Sequence, residues 1–227
     1  MSRLRLLGVV LGVCCGVLAS ANSGSGTKSA SDKLKPKFAV REEPNRIVLT
    51  WSGPVAEPMR DDVIAAFDRF KADRRRIVIA LNSPGGSIAY GRTVAAAIHS
   101  ASQVHSIDTL VEQGGVCASM CVPIYLAGAE RLAHPAARFM FHMASLKPAG
   151  PATAQGDEVA VAKYRKVMET LATDDLYKKD IGTHGVNAAW LAQMRTRIDG
   201  RDVWVTGQQL VDEGSGIVDK LVSTAAR

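Results

Sequence analysis

Ile77-Val-Ile-Ala-Leu81 runs straight into Asn82-Ser-Pro-Gly-Gly86, and from Ser87 a helical stretch continues to Ala101. Five consecutive apolar residues suit a strand buried on both faces, as in a parallel sheet. The Pro-Gly-Gly break ends that strand, and helical spacing takes over at once. The same order recurs on both sides. Upstream, Arg46-Ile-Val-Leu-Thr-Trp51 is closed by Gly53-Pro54, and Glu57 to Lys71 carries Val63, Ile64, Phe67 and Phe70 on one helical face. Downstream come a strand near Ser106–Val111, the pair Gly114-Gly115, an apolar helix from about Ala118 to Ala127, and the strand Arg138-Phe-Met-Phe-His142. Strand, turn and helix in repetition predict an α/β domain with parallel strands. In such folds ligands gather where strands end and helices begin.

After His142 the pattern loosens. Residues 143–156 hold Pro148, Pro151 and two glycines and read as a loop. Residues 157–182 form a long helical stretch, Asn187 to Ile198 a second, and Val203-Trp-Val205 a short strand. Thr206 is placed to cap a short helix, and a last strand is expected around Gly216–Val222.

The start of the chain reads differently. Arg3 and Arg5 precede the apolar run Leu6–Leu18, and Ala19-Ser20-Ala21 has the small-x-small pattern of a processing site. That order describes a secretory signal peptide over residues 1–21, cleaved near Ala21 to leave a periplasmic or secreted protein. Residues 22–37 are rich in Ser, Gly, Lys and Ala and read as a flexible linker, with the domain spanning 38–227. Losing Arg3 and Arg5 takes 28 basic residues to 26 and the formal charge from +6 to +4. A balance that mild implies no nucleic-acid partner, and Arg74-Arg75-Arg76 reads as a solvated helix end.

Three positions suggest chemistry. Ser119 lies between a glycine turn and an apolar helix, where exposed backbone amides favour developing negative charge. A helix N-cap is its commoner role. Gly85-Gly86 allows close backbone approach, though a tight turn needs no more than that. His142 suits a general base, and also suits a structural role at a strand end. His99, His105, His134 and His184 lack metal-ligand spacing, so no metal and no cofactor is expected.

Taken together, Asn82-Ser-Pro-Gly-Gly-Ser87, Gly115-Val-Cys-Ala-Ser-Met120, Leu126-Ala-Gly-Ala129 and Pro135-x-x-Arg-Phe-Met-Phe-His142 resemble the proteolytic subunit of Clp protease. The tail pieces Asp202-Val-Trp-Val-Thr206 and Gly216-Ile-Val-Asp219 are similar to that family's as well, and the resemblance runs roughly from Ile47 to Leu221. It implies a crotonase-like spiral of ββα units with parallel sheets and a helical extension. It implies a serine peptidase with Ser119 as nucleophile, His142 as base, and the amides of Gly86 and Met120 as the oxyanion hole. Alignment on Asp202-Val-Trp-Val-Thr206 puts Ile198 where the family carries its aspartate. Asp199, one residue on, is therefore taken as the orienting carboxylate, with Asp202 in reserve.

Cys117 and Cys121 bracket the serine. Four residues apart near a helix start, their Cα atoms fall roughly 6 Å apart, within disulfide reach. The expected partners are peptides or unfolded chains, with no ATPase outside the cytoplasm and homo-oligomerisation through 157–182. The rival reading is a catalytically inactive peptide- or partner-binding protein. A Ser-Lys pairing through Lys147 or Lys163 is a variant of the enzyme reading.

Overall fold

Why the chain doubles back where it does follows from its apolar runs, as the computed structural model, which describes residues 36–146 and 158–223, makes plain. The strands are β1 (Lys37–Glu42), β2 (Arg46–Ser52), β3 (Arg76–Asn82), β4 (Ile107–Val111), β5 (Val116–Ala118), β6 (Arg131–Ala133), β7 (Arg138–Phe141), β8 (Val203–Thr206) and β9 (Lys220–Leu221). The helices are α1 (Met59–Phe70), α2 (Ile88–Ala101), α3 (Cys121–Leu126), α4 (Glu158–Asp175), α5 (Ala188–Arg197) and α6 (Gly207–Asp212). A π-helical stretch, Leu176–Ile181, continues α4.

A six-stranded sheet has the order β1-β2-β3-β4-β6-β9, and a three-stranded sheet the order β5-β7-β8. Pairing is parallel from β2 to β9 in the large sheet, and β1 joins its edge antiparallel. In the small sheet β5 and β7 are parallel, and β8 runs antiparallel to β7. Two isolated parallel bridges, Val55↔Gly86 and Ser83↔Cys117, lie beside the small sheet. Ile77 to Leu81 is buried throughout, as expected of a central parallel strand. α1 buries Val63, Phe67 and Phe70 but leaves Ile64 40% exposed at the edge of its apolar stripe. Thr206 caps α6 with a full capping box, its hydroxyl accepting from Gln209 N and the Gln209 side chain accepting from Thr206 N.

Some elements differ from expectation. β1 is not evident in the sequence, because Lys37–Glu42 alternates weakly and gains its order from the ladder with β2. The apolar helix begins at Cys121, since Val116–Ala118 is claimed by β7 as a strand partner. The last strand shrinks to Lys220–Leu221. Arg75 and Arg76 are not merely solvated: Arg75 forks onto Asp73 and Glu42, and Arg76 pairs with the buried Asp108. The Arg75 side-chain hydrogen bond holds the Asp73 carboxyl down at about 2. Residues 1–21 and most of 22–37 lie outside the described residues.

Candidate active site

Ser119 follows β5 directly and is the one described non-glycine residue at positive φ, +54°. That conformation costs an L-residue roughly 1–2 kcal/mol, so its surroundings must hold it. Its amide donates to Met140 O at 2.9 Å, its carbonyl accepts from Val122 N, and β5 is gripped from the other side by Ala118 N to Ser83 O. The expected N-cap role is not filled: Met120 occupies the position before α3, and no side chain caps that helix. The hydroxyl turns instead to His142, whose Nε2 lies 2.7 Å from Ser119 Oγ.

The disulfide Cys117–Cys121 spans this turn, with a Cα–Cα distance of 5.2 Å. Both cysteines are fully buried. Closing so short a loop removes about 2 kcal/mol of chain entropy from the unfolded state. That is the same size as the cost of the left-handed serine. Reduction, or joint replacement by alanine, is expected to lower the unfolding midpoint by roughly 4–8 °C. Thermal melts with and without reductant check this, and an unchanged midpoint would show that packing alone holds the turn.

His142 follows the last residue of β7 and is about half buried. Burial pushes its pKa below the usual 6.5, against the opposing pull of the Asp202 charge. The imidazole is therefore neutral at pH 7, with Nε2 free to accept a proton. Asp202, just before β8, sets Oδ1 3.7 Å from His142 Nδ1 with its side chain 60% exposed. This is an approach rather than a hydrogen bond, although such contacts are often long before substrate binds. Asp199 does not take that place. It follows α5 in the turn closed by Gly200 at φ +68° and lines a hollow with Met143, Lys166 and Arg195. Antiparallel pairing of Phe141 with Val203 carries Asp202, not Asp199, alongside His142.

The turn after β3 supplies the facing wall. Gly85 sits at φ +89°, and a Cβ there would come within 2.6 Å of Ala118 O and 2.7 Å of Ser119 Cβ. A Cβ on Gly86 would fall 2.3 Å from Val55 O. Only bare backbone fits at either position. Val55 N donates to Gly85 O and Ser87 N to Val55 O, which pins the turn beside the serine. The amides of Gly86 and Met120 have no acceptor among the described residues.

A cleft of about 680 Å³ opens over Ser119 and His142, walled by Val55, Gly86, Ile88, Ala144, Leu146 and Leu176 among others. No lysine among the described residues lines it; Lys163 is exposed on α4, and Lys147 lies outside the described residues. No group of three His, Cys, Asp or Glu side chains able to hold a metal occurs among the described residues. Glu169, Thr173 and Tyr177, whose side chains bond the backbone of Leu146, Ala144 and His142, carry no motif that would mark them in the sequence.

Such a cluster, a left-handed serine against a neutral histidine beside unpaired backbone amides, is the equipment of a serine hydrolase. The Clp protease family profile matches residues 43–225, and the chain belongs to that family of serine peptidases. No curated protein matches the chain.

Proposed function

We propose that this chain is an extracytoplasmic serine peptidase that cleaves peptide bonds through an acyl-enzyme, without ATP. The observation that carries the reading is the 2.7 Å contact between Ser119 Oγ and His142 Nε2 at the floor of the cleft. In this reading Nε2 takes the hydroxyl proton as Oγ attacks the peptide carbonyl. The oxyanion that forms meets the amides of Gly86 and Met120. The imidazolium then returns its proton to the departing amine, and water releases the acyl group by the same route. Asp202 takes the orienting role given in the sequence reading to Asp199.

Export is part of the proposal. The signal-peptide pattern over 1–21 and a disulfide beside the serine both suit an oxidising compartment. The crotonase-like spiral belongs to the same reading. It is supported by β2, β3, β4 and β6 of the large sheet, which each lead into a bridge or strand beside the small one and then on to a helix. Homo-oligomerisation through 157–182 is supported by α4, where Val159, Tyr164, Val167 and Leu171 are all at least half exposed.

The test is labelling of the mature protein with a fluorophosphonate, beside Ser119→Ala. Labelling that vanishes in the variant supports the peptidase. Absence of labelling in folded protein favours an inactive peptide-binding protein, a reading for which the 3.7 Å approach of an exposed Asp202, longer than a hydrogen bond, is the specific argument.

The pH dependence has a defined sign. His142 must be neutral to act, and its pKa lies below 6.5. Labelling should therefore rise with pH to a plateau, with its midpoint below about 6.5. Asp202→Asn removes the charge that raises that pKa, so the midpoint should move lower still. The plateau should fall by about tenfold or more, short of the ~10⁴ lost with a fully bonded orienting carboxylate. Asp199→Asn should change neither. Rates of labelling across pH 4–9 for the three proteins decide the matter.

A further inference from the structure

β7 ends at Phe141, where its ladder with β8 also ends. The residues that follow, His142 to Leu146, carry the histidine and then form one wall of the cleft, yet they belong to no sheet. Something else must hold them, because a base has to stay within about 0.5 Å of its productive position.

Three side chains supply that hold. Tyr177 Oη donates to His142 O at 3.4 Å, Thr173 Oγ1 accepts from Ala144 N at 2.9 Å, and Glu169 Oε1 accepts from Leu146 N at 3.0 Å. Their spacing is systematic. Positions 169, 173 and 177 advance four residues at a time along α4 and its π-helical continuation, roughly 6 Å per step. Their partners 146, 144 and 142 retreat two residues at a time, roughly 6.6 Å per step in extended chain. One helical stripe thus matches alternate backbone groups of the segment 142–146. Thr173 is the only residue of α4 that is fully buried, and its hydroxyl also donates to Glu169 O. It therefore accepts from Ala144 N in a fixed orientation. Tyr177 is 3% exposed, and burial raises its phenol pKa, so the hydroxyl stays a donor. Arg92 on α2 clamps Asp175 and Asp180 on either side of Tyr177.

Resting on the peptidase reading, we infer that Thr173, with Tyr177 and Glu169 beside it, is a positioning residue that sets the His142 imidazole against Ser119. None of the three touches the reacting atoms. They act through the backbone of 142–146.

The test compares Thr173→Val, which keeps the shape and removes the acceptor, with Thr173→Ser, which keeps the acceptor and removes a methyl group. Three quantities are read on the full mature chain: the unfolding midpoint, the fluorophosphonate labelling rate, and the titration of the His142 ring by NMR. Both variants should lose stability. Only Thr173→Val should label more slowly, by roughly 10–100-fold as expected for a misplacement near 1 Å. Only in Thr173→Val should the His142 titration move upward, toward that of an exposed imidazole. Glu169→Gln, which retains an accepting oxygen, should behave as wild type, whereas Glu169→Ala should follow Thr173→Val to a lesser degree. The inference is overturned if Thr173→Ser and Thr173→Val lose labelling in step with their loss of stability, or if the His142 titration stays put in both. A wild type that fails to label, with a titration that still shifts in Thr173→Val alone, sinks the peptidase reading and leaves the positioning role standing.

Discussion

His142→Ala is expected to reduce peptide hydrolysis by about 10⁴–10⁶-fold while leaving the protein folded. The size follows from the unit nature of a nucleophile and its base, since removal of either costs nearly as much as removal of both. Here the pairing is direct, with Nε2 2.7 Å from Ser119 Oγ, and no lysine among the described residues lines the cleft. The imidazole packs at the cleft wall rather than in the main core, so its truncation should cost little stability. Steady-state hydrolysis of a peptide library by wild type, His142→Ala and the double variant with Ser119→Ala measures the effect. Near-additive losses would mean that the two side chains do not work as a pair. Activity that survives His142→Ala would send the search for a base to Lys147.

Gly86→Ala carries the second large effect. An added Cβ would fall 2.3 Å from Val55 O and 2.9 Å from Val55 C, both backbone atoms. Neither can yield easily, since Val55 N is bonded to Gly85 O at 2.8 Å and Val55 O receives Ser87 N at 3.2 Å. The turn after β3 must therefore move, and the Gly86 amide moves with it. Loss of one oxyanion donor lowers turnover about 10²–10³-fold. The steric conflict should add a stability loss of about 1–3 kcal/mol, the usual cost of overpacking a tight site. Urea unfolding and labelling kinetics on the same preparation separate the two. A variant that is destabilised yet labels at the wild-type rate would remove Gly86 from the oxyanion hole. Gly85→Ala is a useful companion, because there the conflict reaches Ser119 Cβ itself at 2.7 Å.

The contrast between Asp199 and Asp202 shows where local reading stops. Both lie within four residues of one another, and alignment by motif favours the first. The choice is made by β-pairing across some sixty residues: Phe141 opposite Val203 brings Asp202 alongside His142, while Gly200 in the left-handed region turns Asp199 toward Arg195 and Lys166. Helix and strand periods say nothing about such register. The same limit applies to Glu169, Thr173 and Tyr177, whose importance depends on a helix lying beside the backbone of 142–146. In the sequence they are simply part of the long helical stretch 157–182.

What the residues determined alone is the local order: an apolar run at Ile77–Leu81 of the kind buried in a sheet, a Gly85-Gly86 break that ends it, Ser119 between strand and helix, and cysteines close enough to bridge. These rest on short-range sterics, and short-range sterics are written in neighbouring residues. Only the tertiary structure decided that Ser119 takes a left-handed turn instead of capping α3, that its hydroxyl meets His142 from a strand twenty-three residues on, and which aspartate stands behind that histidine. Those outcomes depend on pairing between distant segments, where the loss of chain entropy on closing the loop is offset by burial that no local stretch contains.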